Sequence, residues 1–303
     1  MDIYLPIAGM SVNAPLIVAL GLLVGILSGM FGVGGGFLTT PLLIFYGIPP
    51  SVAVASATTQ ITGSSVSGVL AHMRRGGVDL RMGAVMIAGG LLGSLAGAGL
   101  FRLLQSSGQI DTVIGLLYVL LLGSIGVLML RDAALALGWI EPSASAASRP
   151  RHNRWVAGLP LRSRFYASGL YLSPIAPLAL GFVAGILTVL LGIGGGFILV
   201  PAMIYLFGMA ARVVVGTSLV MILAVSAATT MIHALTTEAV DIVLAALLLV
   251  GGVIGAQYGA LLTTRLKPDL LRLSLAVIII LVALRMAFGL TYRPDEIFSI
   301  EYL

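Results

Sequence analysis

Apolar residues fill this chain in blocks with no polar face, unlike the one-sided stripe of a soluble surface helix. Long runs cover residues 13–30, 51–72, 81–104, 110–130, 174–191, 211–233, 242–264 and 270–290. Each is close to the roughly 20 residues that cross a bilayer as a helix. Two further runs, 37–47 and 197–207, have about 11 residues each, and at ~1.5 Å per residue they reach only about half way across the hydrocarbon. Between 132 and 173 the pattern breaks. Pro142, Ser143, Ser145, Ser148 and Pro150 stand there with Arg149, Arg151, Arg154, Arg162 and Arg164, which reads as a basic linker.

The apolar pattern occurs twice. At an offset of 160 residues Gly21 aligns with Gly181, Gly25-Ile26-Leu27 with Gly185-Ile186-Leu187, Gly32 with Gly192, and Pro41 with Pro201. Further on the offset becomes 162, pairing Val78-Asp79 with Val240-Asp241 and Gly89, Gly93 and Gly97 with Gly251, Gly255 and Gly259. The chain is therefore a duplicated unit of about 125 residues. The loop from Arg74 to Arg81 is basic, whereas its counterpart from Ala234 to Asp241 holds only Glu238 and Asp241 as charges. Cytoplasmic loops keep the positive charge, so the copies lie in opposite senses. An inverted copy needs an odd number of crossings, which makes each long-plus-short pair of runs a hairpin with a Gly-rich tip inside the membrane.

These patterns predict an all-α polytopic membrane protein of two inverted-topology repeats. Each repeat is a Gly-rich helical hairpin, long plus short, followed by three transmembrane helices. Residues 1–131 form the first repeat, 132–173 a cytoplasmic linker and 174–303 the second repeat. The linker arginines and most other basic residues then face the cytoplasm; only Arg102, Arg285 and Arg293 fall outside. Both termini lie outside the cytoplasmic membrane.

Composition agrees with this class. Of 303 residues 59% are hydrophobic and only 9% charged, against about a quarter charged in a soluble domain. Soluble enzymes and nucleic-acid binders are excluded. There is no Cys, hence no disulfide, thiolate metal site or cysteine nucleophile.

The paired segments Gly32-Val33-Gly34-Gly35-Gly36-Phe37 and Gly192-Ile193-Gly194-Gly195-Gly196-Phe197, each followed four residues later by Pro41 or Pro201, resemble the repeat signature of the TauE/SafE sulfite exporter family. Thr217-Ser218 matches a Thr-Ser found after the second signature, and Ala57-Thr58 stands in its place in the first copy. The resemblance implies a transporter of sulfite or small organosulfonates, without enzymatic activity or cofactor.

The residues themselves suggest how an anion is held. Each Gly-rich turn leads into a short helix whose N-terminus presents unpaired N–H groups and a positive dipole end. Two inverted copies bring two such ends together near the midplane. Backbone N–H groups of Gly34, Gly35 and Gly36 and of Gly194, Gly195 and Gly196 are the expected anion ligands, with Thr58, Thr59, Gln60, Thr217 and Ser218 as side-chain donors. His72 and His233 close corresponding helices and are candidate gate or proton-relay groups. No acidic residue lies in the middle of a span, so a carboxylate relay is not expected. A secondary exporter using alternating access is the leading reading. An anion channel, or an uptake permease for another sulfur-containing anion, is the alternative.

Overall fold

The computed structural model describes residues 2–31, 35–74, 77–139, 160, 163–165, 168–209, 211–263 and 268–291. Ten helices account for most of them: α1 (Ala14–Phe31), α2 (Gly36–Phe45), α3 (Pro50–Arg74), α4 (Leu80–Ser106), α5 (Ile110–Ala136), α6 (Ile175–Leu191), α7 (Gly196–Phe207), α8 (Ala211–Thr236), α9 (Ile242–Thr263) and α10 (Pro268–Thr291). The protein is an all-α polytopic membrane protein.

Among the described residues five helices are long and apolar enough to cross a membrane: Leu80–Ser106, Ile110–Leu135, Val213–Thr236, Ile242–Gly259 and Leu273–Thr291. Eight of the apolar runs reached that length in the sequence. The difference lies in α1 and α6, which stop short at their Gly-rich segments, and in α3, where eight Ser, Thr and Gln side chains between Ser56 and Ser67 lower the hydropathy of a 25-residue helix. The two short runs form α2 and α7, each with a proline, Pro41 or Pro201, in its second turn. The missing proline N–H leaves the carbonyl of Phe37 or Phe197 without its helical partner.

Packing follows one scheme written twice. Helix α1 lies along α9 and α6 along α4; α3 packs on α8 and α5 on α10; α3 also meets α9, and α8 meets α4. Exchange of the two halves leaves these pairings unchanged. The α1–α9 and α6–α4 pairs are glycine seams. A Cβ on Gly251, Gly255 or Gly259 would stand 2.1 Å from the carbonyls of Val18, Leu22 and Ile26 in turn, and one on Gly89 or Gly93 at 2.1 or 2.0 Å from those of Leu178 and Phe182. The small-residue spacing thus lets backbones touch. Both seams run parallel. The helices that pair with their own counterparts run antiparallel instead: Thr59 meets Thr230 while Gly68 meets Leu219, and Gly115 meets Leu290 while Gly126 meets Ile280.

A feature of both halves is a short β-hairpin ahead of the first helix. β1 (Asp2–Leu5) pairs antiparallel with β2 (Met10–Asn13), and β3 (Ser163–Phe165) with β4 (Leu170–Leu172). Left-handed Gly9 and Gly169, φ +66° each, serve the two turns, and Leu5 and Val12 correspond to the buried Phe165 and Leu172. The second hairpin lies inside the stretch 132–173, so the 160-residue correspondence starts before α1 and α6.

Candidate functional site

The tips of the two Gly-rich hairpins meet. A Cβ on Gly36 would come within 2.5 Å of the Gly192 carbonyl and 2.1 Å of Ile61 Cδ1, and the rings of Phe37 and Phe197 stack with centroids 4.6 Å apart. Gly192 ends α6 in the left-handed region, φ +68°, and its own Cβ would stand 2.6 Å from the Val54 carbonyl of α3. No side chain fits there.

The tips differ in backbone. In the second, Gly194 and Gly195 are left-handed, φ +71° and +75°, and Gly195 is the N-cap of α7. In the first, Gly35 caps α2 in the right-handed region, φ −68°. Gly34 lies outside the described residues. Leu38 and Thr39 N–H donate to the Gly35 carbonyl, and Ile198 and Leu199 N–H to that of Gly195. The N–H groups ahead of them, those of Gly36 and Phe37 and of Gly196 and Phe197, belong to the unpaired set at a helix start.

Most of the side-chain donors expected from the sequence are committed elsewhere. Thr58 donates to Val54 O at 2.7 Å, Thr59 to Ala55 O at 3.1 Å and Ser218 to Val215 O at 3.0 Å, each back-bonding its own helix. Thr217 Oγ1 accepts from the Asp79 N–H at 2.9 Å. Gln60, buried, bridges three helices: its Oε1 accepts from Thr39 Oγ1 at 3.0 Å and its amide donates to Leu248 O at 3.4 Å. His233 is also fully buried, with Nε2 3.1 Å from Val189 O and its ring edge-on to Phe101. His72 is half-buried.

The first copy also keeps a hydroxyl where Thr217 stands, but one residue earlier than the sequence comparison placed it. Asp241 N–H donates to Ser56 Oγ at 3.3 Å, as Asp79 N–H does to Thr217. The equivalence in these helices is therefore Ser56 with Thr217, and Gln60 with Met221. The one-residue shift within α3 and α8 corrects the Ala57-Thr58 pairing. Both aspartates start their helices and face the opposite copy's hairpin. Asp79 accepts from Met82 N–H and from the N–H and Oγ of Ser168; Asp241 accepts from Val243, Leu244 and Ile7 N–H.

One hydroxyl at the tips is uncommitted. Ser226, fully buried at the middle of α8, has an Oγ with no hydrogen-bond partner, and it lies 3.2 Å from where a Cβ on Gly194 would stand. In the sequence nothing sets Ser226 apart from the other Ser and Thr residues of the apolar runs; its isolation depends on where the second tip folds. Thr40 on α2 is another buried hydroxyl without a partner of good geometry, and lies against Tyr118. Tyr118 in turn donates to the Leu191 carbonyl, fastening α5 to the end of α6. Among the described residues no Lys or Arg is buried, and the buried carboxylates are those of Asp79 and Asp241 at helix starts. The tips thus offer N–H groups, a hydroxyl and no cation. Such a site suits an oxyanion that must be released again.

The sequence model of the family described as "Sulfite exporter TauE/SafE" matches residues 17–286. The chain is 30% identical over 275 residues to "Probable membrane transporter protein YjnA" of Bacillus subtilis, covering 89% of this chain and 98% of that protein. It is 29% identical over 268 residues to a "Probable membrane transporter protein" of Xylella fastidiosa strain Temecula1, covering 87% and 91%. A 52-residue stretch, 17% of this chain, is 42% identical to part of "Sulfite exporter TauE/SafE family protein 3" of Arabidopsis thaliana, covering 11% of that protein. No solved structure gives a significant match.

Proposed function

The chain belongs to the sulfite exporter TauE/SafE family of membrane transporters, and on that premise we propose that it is a secondary transporter exporting sulfite or small organosulfonate anions across the cytoplasmic membrane. The anion is held where the hairpin tips converge, and alternating access comes from rocking of one inverted copy against the other. The observation that carries this reading is the meeting of Gly36 with the Gly192 carbonyl together with the Phe37–Phe197 stack. It sets two helix N-termini side by side in a bundle core without a buried cation among the described residues. The positive-inside pattern supports a cytoplasmic linker with both termini outside.

Sulfite flux into vesicles holding the purified protein tests the proposal. Saturable flux that accelerates when sulfite is preloaded on the opposite side supports a carrier. Absence of flux for sulfite and every organosulfonate tried, with correctly folded protein, overturns it.

A further inference from the structure

We propose that the second tip and Ser226 together form the anion subsite, and that this subsite takes a singly charged oxyanion in preference to a doubly charged one. The inference rests on the transport reading above and gives it a substrate class. Its starting point is the uncommitted Oγ of Ser226, 3.2 Å from the Cβ position of Gly194 and fully buried. Ile61 and Ile222 are the other side chains nearest that position. A buried hydroxyl with no partner is destabilising, and an anion oxygen placed between it and the N–H groups of Gly196 and Phe197 would supply the missing acceptor. Thr58, Thr59 and Ser218 cannot do the same, because each has already donated its proton to a helix carbonyl.

Charge sets the class. A helix N-terminus is worth roughly half a positive charge, so the starts of α2 and α7 together offer at most about one, from which the carbonyl end of α6 at Gly192 subtracts. No buried Lys or Arg adds to it among the described residues. The desolvation cost of an ion grows as the square of its charge, so a second negative charge would be left uncompensated at the point where dehydration costs most. Sulfite then travels as hydrogen sulfite, with its proton on the substrate, and alkylsulfonates travel as they are.

The test uses the full chain in vesicles, with rates in protein-free vesicles subtracted. The probes are methanesulfonate, always singly charged, sulfate, always doubly charged, and sulfite from mildly acidic to mildly alkaline pH. Binding of methanesulfonate is read separately, by thermal stabilisation in detergent. The proposal expects methanesulfonate to be carried at a rate independent of pH, sulfate to be neither carried nor competitive, and sulfite flux to fall as pH rises. Ser226→Ala should weaken methanesulfonate binding roughly tenfold and yet raise the melting temperature of the ligand-free protein, since an unsatisfied hydroxyl is removed. A packing role for Ser226 would lower that temperature. Sulfate carried as well as methanesulfonate, or sulfite flux rising with pH, overturns the charge class. Unchanged methanesulfonate binding in Ser226→Ala overturns the subsite. Binding that needs Ser226 without any flux would retain the subsite and overturn the transport reading alone, whereas neither binding nor flux overturns both.

Discussion

Phe37 and Phe197 stack nearly flat on each other, with planes 9° apart and centroids 4.6 Å apart, although 160 residues separate them in the chain. Each is the second residue of its short helix, immediately after the Gly-rich turn. The contact joins equivalent residues, so it lies where the two halves exchange. Stacked aromatic pairs contribute about 0.5–1.5 kcal/mol beyond area burial. Phe37→Leu and Phe197→Leu should each lower stability in detergent, and the double variant should lose less than the sum by about that amount. Strict additivity in thermal melts would mean that the rings are neighbours without coupling.

The glycine seams give a sharper contrast. Gly93→Ala and Gly255→Ala push a methyl to 2.0 and 2.1 Å from the Phe182 and Leu22 carbonyls, and each should destabilise by about 1–3 kcal/mol. Gly99→Ala and Gly123→Ala meet nothing within 4 Å and should be neutral or gain up to about 1 kcal/mol from helix propensity. Melting temperatures of the four variants check this ordering.

Asp79 and Asp241 tie each helix start to the hairpin of the other copy. Asp79→Asn keeps the cap on Met82 but turns an NH2 group toward the two Ser168 donors. A loss of about 1–3 kcal/mol and faster proteolysis near residues 163–172 are expected, with transport retained in the folded fraction. Loss of flux at wild-type stability would instead give Asp79 a part in transport.

Gln60 and Met221 occupy equivalent positions, one polar and one apolar, facing Gly252 and Gly90 of the neighbouring helix. Gln60→Met should therefore be better tolerated than Gln60→Ala, by about 1–2 kcal/mol, because both remove the amide oxygen that accepts from Thr39 and only Ala also leaves a cavity. Comparable melting temperatures for the two variants would argue that the amide, not the volume, matters.

Apolar run length made the all-α polytopic class and most of the helices legible, because it is a property of residues taken one at a time. The hairpins were not. Leu5 and Val12 sit too close to the first apolar run to show a two-residue alternation, and Phe165 and Leu172 lie among the linker arginines. The register of α3 against α8 was also hidden: only the hydrogen bonds of Asp79 to Thr217 and of Asp241 to Ser56 reveal the one-residue shift. Donor commitment is invisible in a sequence for a related reason. Thr58 and Ser226 are both mid-membrane hydroxyls, but one finds a carbonyl on its own helix and the other faces a turn that folds from elsewhere in the chain.

The most direct test of the tips as the transport site is sulfite flux through Gly36→Ala and Gly195→Ala in vesicles, with Gly35→Ala beside them. A methyl at Gly36 strikes the Gly192 carbonyl, and one at Gly195 must adopt φ +75°, whereas Gly35 is right-handed and its methyl meets only the Val24 side chain closely. Folded Gly36→Ala and Gly195→Ala should carry sulfite at a small fraction of the wild-type rate while Gly35→Ala stays near it. Wild-type flux through both of the first two variants would contradict a site at the tips.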